Sequence, residues 1–234
     1  MSRQTKPLGQ PAVDIECDNL IDQTIEFIRD SLYPWKNDPD RQQVKAEKKL
    51  NGKLADFLSS KAATLFPMVF FRHEQDQGEQ RSVDLAAKPN QPVVIHGVRH
   101  SIYQPVIVIE CKRLPAPSND REREYVTGEN GAITGGIQRF KLGAHGAEHD
   151  TAVIVGYVQE NSPQDWHPII NGWISDLSES NSEAWSSDEK LGAFTTYNSG
   201  ALLESTSTHP RVKECKSPRI KIHHFWIQMK TRNP

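Results

Sequence analysis

The chain has little of what usually makes chemistry obvious. Its three cysteines, Cys17, Cys111 and Cys215, are far apart and odd in number, so neither a disulfide framework nor a structural zinc site is expected. No stretch approaches the roughly 20 apolar residues of a membrane span. Met1 to Ile15 also lacks the charged-then-apolar pattern of a signal peptide, so a soluble, cytoplasmic protein with reduced thiols is predicted. There are no internal repeats. The glycines Gly128, Gly131, Gly135 and Gly136 fit neither phosphate-cradling spacing and read as close-packing or loop glycines, and no GxSxG marks a nucleophilic serine. A net charge of -2 lacks the basic footprint of a strong nucleic-acid binder. The charge is uneven, however. Pro210 to Pro234 holds seven Lys/Arg against Glu214 alone, a basic end that is permissive for phosphate backbones or is simply a solvated terminus.

What is present is organised around Val106 to Leu114, VIVIECKRL, read as a buried strand bounded by Pro105 and Pro115. Alternation puts Val106, Val108, Glu110 and Lys112 on one face and Ile107, Ile109 and Cys111 on the other. An acid and a base at the end of an apolar strand must be paired, exposed or bound to something.

Around that strand, residues 1–16 read as a flexible N-terminal tail and 17–234 as a single domain. Asp18 is a plausible N-cap for a helix carrying Leu20, Ile21, Ile25 and Ile28, and Arg41 to Leu65 has near-helical apolar spacing with Glu47 close to its buried stripe. Met68 to Arg72 and Arg81 to Ala87 read as strands separated by a turn at Gln75 to Gln80. In the second strand Val83 and Leu85 share a face and Asp84 points to the other. Pro92 to Val98 suggests a hairpin arm. Thr151 to Val158 is a second apolar strand, and Ser162 and Pro163 open an amphipathic helix through Leu177. Arg219 to Met229 reads as a final edge strand. Strands separated by helices predict an α/β domain, a mixed central sheet flanked by helices.

Among possible sites, His145 and His149 in HGAEH have zinc-binding spacing, but Gly146 disfavours the helix and Glu148 is misplaced. Cys111 reads as a core residue. The remaining set is Glu47, Asp84, Glu110 and Lys112. Two carboxylates on adjacent strands can share a hard cation such as Mg²⁺, and a nearby lysine can stabilise a phosphate or help orient and deprotonate water.

The order AEKKLNGKL (Glu47), RSVDLAA (Asp84), VIVIECKRL (Glu110, Lys112) resembles the PD-(D/E)XK nuclease superfamily over roughly residues 44–158. The resemblance implies a restriction-endonuclease-like fold and Mg²⁺ or Mn²⁺ as cofactor. Asp84, Glu110 and the Cys111 carbonyl would be metal ligands, Lys112 the catalytic lysine and Glu47 an auxiliary acid. Gln138 in GGIQRF stands where one branch has QxxxY, but Leu142 replaces the tyrosine, and Val83 replaces the proline before Asp84. Arg139 and Tyr125 could face a phosphate or serve the structure. The function implied is metal-dependent hydrolysis of phosphodiesters, of DNA before RNA, in restriction, phage defence or repair, by a homodimer or a subunit of a defence complex. The alternative is a nuclease-like domain that no longer cuts and serves as a nucleic-acid-binding or assembly module. A small-molecule enzyme at the sheet's carboxyl edge is a third reading.

Overall fold

Apolar runs such as 107–109 and 152–155 leave no polar face for solvent, so strands built from them need cover on both sides. The computed structural model describes residues 15–78, 81–129, 131–180 and 185–229 and provides that cover. In chain order the elements are β1 (Ile15–Glu16), α1 (Leu20–Lys36), α2 (Glu47–Leu65), β2 (Val69–Asp76), β3 (Ser82–Pro89), β4 (Val93–Ile95), β5 (Val98–His100) and β6 (Ile107–Leu114). They continue with α3 (Gly136–Lys141), β7 (Thr151–Val158), α4 (Pro163–Glu179), β8 (Thr195–Tyr197), β9 (Leu202–Pro210) and β10 (Arg219–Gln228). Seven strands form a mixed sheet in the order β2-β3-β6-β7-β10-β9-β8, and β1, β4 and β5 form a smaller one. The β6-β7-β10 centre is parallel, and both flanks are antiparallel. No described helix is long and apolar enough to cross a membrane.

Alternation along β6 divides the interior. Ile107, Ile109 and Cys111 join the core beneath α1 and α2, with Ile28, Leu32, Leu50 and Leu54. Val108 and Leu114 join the opposite core with Ile137, Phe140, Trp166 and Ile170 from α3 and α4. Burial at roughly 25 cal/mol per Å² of apolar surface on both faces concentrates the hydrophobic stabilisation at the sheet centre. The α4 start follows its sequence signal: Ser162 Oγ accepts from the Asp165 N–H at 3.3 Å and Pro163 is the first helical residue.

Several boundaries differ from expectation. Asn19, not Asp18, holds the N-cap position of α1. The Asp18 carboxylate instead accepts from the His96 N–H at 2.6 Å, in the β4-β5 turn where His96 and Gly97 both take positive φ. Residues 41–46 are not helical, because their polar groups are used elsewhere: Arg41 donates to the Lys36 carbonyl and the Lys45 carbonyl accepts from Gln159. Glu47 thereby becomes the first residue of α2. Strand β2 continues to Asp76, through part of the expected turn. Strand β10 is interior, paired with β7 and β9, because β9 and β8, neither of them anticipated, extend the sheet beyond it. Of the expected N-terminal tail, 1–14 lies outside the described residues and 15–16 forms β1.

Candidate active site

Strands β3 and β6 pair through Ala87↔Ile107, Ala86↔Val108 and Leu85↔Ile109, and then the pairing ends. Continued for two residues, the register would set Cys111 opposite Val83. Instead the Asp84 carboxylate enters the gap, and its Oδ2 accepts from the Cys111 N–H at 2.8 Å. At this point Val83 and Leu85 pack into opposite cores rather than sharing a face, a correction to simple alternation. The break coincides with Glu74 on the neighbouring strand, which takes φ 52° and is missing from the β2-β3 ladder between His73↔Leu85 and Gln75↔Val83. The fork lets a strand residue present an acid beside the sheet's central strand.

Glu47 reaches the same end of β6 from the first turn of α2, its Oε2 accepting from the Arg113 N–H at 2.9 Å. Glu110, fully buried, projects to the α3 side. Its Oε1 lies 3.0 Å from Lys112 Nζ and 2.7 Å from Arg139 Nη1, and its Oε2 lies 2.9 Å from His145 Nδ1. The His145 contact is close but misaligned, which leaves both atoms without a well-directed hydrogen bond. Burial raises the Glu110 carboxyl, but Lys112, His145 and Arg139 outweigh it and hold the group well below the usual carboxylate range. Asp84 goes the other way: burial and the Glu110 charge push it up to about 8 against the pull of Lys112 and the Cys111 N–H. Burial also raises Glu47, and Lys112 only partly offsets it. Burial works against the Lys112 charge, yet Glu110, Glu47 and Asp84 together raise it above its ordinary value. Lys112 is thus a held cation among three acids.

Beside this cluster is a cavity of about 330 Å³ lined by Arg81, Ser82, Ile133, Arg139, Ala144 and His145. Arg139 belongs to both places, and so does His145. The loop carrying His145 is tied down by Arg211, which donates to the carbonyls of Phe140 (2.9 Å), His149 (2.7 Å), Gly146 (3.1 Å) and His145 (3.4 Å). Arg211 reads in the sequence only as part of a basic terminus; its positioning role has no local signature. His145 is singled out by HGAEH, but for another reason. Its Nδ1 turns to Glu110 while His149 Nε2 meets the Pro105 carbonyl at 3.2 Å, so the two histidines do not converge on a zinc ion. Gly146 at φ 60° breaks the helix that the zinc spacing would need.

Gln138 Oε1 accepts from the N–H groups of Gly128 (2.9 Å) and Gly135 (3.3 Å), closing the glycine loop on itself. That loop is too tight for side chains, since a Cβ on Gly128 would come within 2.1 Å of the Ala132 carbonyl. Tyr125 does not face the cavity with its hydroxyl: buried, it accepts from Trp226 Nε1 at 2.7 Å and meets His224 Nδ1 at 2.8 Å. The Cys111 thiol is buried in the α1/α2 core, and burial raises it well above its ordinary value, so it is no nucleophile. Sequence reading also missed Ser207, His209 and Glu189, which have the order of a hydrolytic triad, with Ser207 Oγ 2.6 Å from His209 Nε2 and His209 Nδ1 2.7 Å from Glu189 Oε2. All three are at most 4% exposed, which makes the set a core network rather than a substrate site.

Among the described residues no three His, Cys, Asp or Glu side chains are arranged to hold a metal ion. A divalent ion at the fork would therefore rest on two carboxylates, with backbone and water oxygens completing its shell, a donor set that suits Mg²⁺. Such an ion would add positive charge where burial and Glu110 raise Asp84 and where three acids face one buried lysine. Comparison with protein-family models, curated proteins and solved structures finds no match to this chain.

Proposed function

We propose that the chain is a metal-dependent nuclease of restriction-endonuclease-like fold that hydrolyses phosphodiester bonds, with DNA as first candidate substrate. The observation that carries this reading is the convergence of Glu47, Asp84 and Glu110, from a helix and two strands, on Lys112 at the β3-β6 fork, beside a cavity lined by Arg81 and Arg139. Asp84 and Glu110, with the Cys111 carbonyl, would hold Mg²⁺ or Mn²⁺, which supplies Lewis-acid polarisation of a phosphoryl oxygen and a water of lowered pKa. Lys112, 3.0 Å from Glu110 Oε1, is placed to stabilise charge gathering on the phosphoryl oxygens. Arg139 and Arg81 at the cavity suit the flanking phosphates of a strand. Glu47, bound to the backbone just after Lys112, fixes the end of the strand that carries the lysine.

A second reading has its own observation. Glu110 already has Lys112 and Arg139 on one oxygen and His145 close to the other, a cluster that a non-cutting, nucleic-acid-binding module could keep. The two readings separate in a cleavage assay on plasmid, linear duplex, single-stranded DNA and RNA, with Mg²⁺ or Mn²⁺ and with EDTA. Cutting that requires the ion and vanishes in a folded Lys112→Met variant supports the nuclease. Retained nucleic-acid binding without cutting on any substrate supports the module.

A further inference from the structure

Arg139 is the one cationic partner of Glu110 that also borders the cavity and keeps substantial solvent contact. Its side chain is 26% exposed, against 5% for Lys112 and 4% for His145. Its Nη1 sits 2.7 Å from Glu110 Oε1, the oxygen that Lys112 also approaches, while its Nε makes only a long 3.3 Å bond to the Ile133 carbonyl. The guanidinium therefore neutralises the acid on one side and borders the 330 Å³ cavity, with room for a tetrahedral anion beside Ser82 and His145, on the other. It has two competing partners, the Glu110 carboxylate and any tetrahedral anion in the cavity, and a planar guanidinium binds carboxylate and phosphate equally readily.

We infer that Arg139 is a latch shared between the cavity and Glu110, so that a phosphate group in the cavity draws the guanidinium off Glu110 and opens that acid to a divalent ion. The inference rests on the metal-site reading above and deepens it, making the cavity the phosphate subsite and coupling the two ligands. Without the anion, a cation arriving at Asp84 and Glu110 meets a carboxylate oxygen that Arg139 and Lys112 share, and it must displace the arginine to reach it. With the anion bound, the arginine's charge is met elsewhere and Glu110 regains a need for positive charge. Reciprocity follows from linkage: whatever the anion does for the ion, the ion does for the anion. A nuclease built this way assembles its metal centre on the substrate.

The test uses Mn²⁺ as the ion and inorganic sulfate as the tetrahedral anion, with calorimetric titration of the full chain at matched ionic strength in chloride and in sulfate. Wild type is expected to bind Mn²⁺ on the order of fivefold more tightly in sulfate. Arg139→Gln and Arg139→Ala are expected to bind Mn²⁺ on the order of fivefold more tightly than wild type in chloride, and to lose the sulfate effect. The two variants guard against one failing to fold, which circular dichroism checks. Equal Mn²⁺ affinity in wild type and both variants, unchanged by sulfate, overturns the latch and leaves the metal site standing. No Mn²⁺ binding by any of the three proteins overturns the metal site and the latch with it.

Discussion

Removing a carboxylate from water costs several kcal/mol unless donors and cations replace the lost hydration, and Glu110 and Asp84 meet that cost in opposite ways. Glu110 has Lys112, Arg139 and His145 around it. Asp84 has one backbone N–H and a neighbouring acid. Their neutral amides should therefore shift stability in opposite directions. Glu110→Gln leaves Lys112 buried without its nearest counter-charge and is expected to destabilise the chain by about 3–5 kcal/mol. Asp84→Asn keeps an oxygen for the Cys111 N–H and removes one of three crowded acids. In EDTA it is expected to stabilise by about 1–2 kcal/mol, because it relieves the crowding of like charges. Urea denaturation of both variants in metal-free buffer measures the pair, and a stabilising Glu110→Gln or a strongly destabilising Asp84→Asn would refute this distribution of charge.

At the scale of elements, legibility followed the strength of local signals. Strand β6, strand β7 and the capped start of α4 were readable because apolar runs and a Ser-Pro cap are local chemistry. Glu110 and Lys112 are legible for the same reason, as an acid and a base at the end of an apolar run. That Asp84 sits in a fork was not, because the break in alternation between Val83 and Leu85 depends on pairing with β2 and β6. Strand β9, LLESTSTHP, was missed because its polar residues are buried by partners distant in sequence: Ser207 and His209 are satisfied by each other, by His224 and by Glu189. Arg211 and Arg139 acquire their roles only when loops meet. Gln138 illustrates the same limit, since its oxygen staples Gly128 to Gly135. Gln138→Ala is expected to cost about 1–2 kcal/mol and to speed hydrogen exchange at the Gly128 and Gly135 amides, with Gln138→Glu restoring protection because it keeps the acceptor. Unchanged exchange in Gln138→Ala would remove the staple from the account.

Across the whole molecule the core on the α3/α4 side contains a buried polar chain as well as apolar packing. It runs from Trp226 through Tyr125, His224, Ser207 and His209 to Glu189, which also meets Lys141. Burial lowers His224 well below the ordinary histidine value, lowers His209 too, and brings His149 down to about 4. A group whose folded value is depressed contributes stability above its unfolded value, near 6.5, and that contribution is lost as the pH falls. Thermal melts are therefore expected to show stability falling steadily from about pH 6.5 toward about pH 4. The raised Asp84 carboxyl works in the opposite sense below about pH 8, so the same profile is measured in Asp84→Asn, where a flat curve over that window would show that these histidines are not buried neutral. The central claim concerns the sheet's fork, and the most direct measurement is anomalous diffraction from a crystal soaked in Mn²⁺ and sulfate. A single strong peak is expected between the Asp84 and Glu110 carboxylates, within ligand distance of the Cys111 carbonyl, with Arg139 turned away from Glu110. Mn²⁺ bound only elsewhere, with the Glu110–Arg139 pair intact, would contradict the claim.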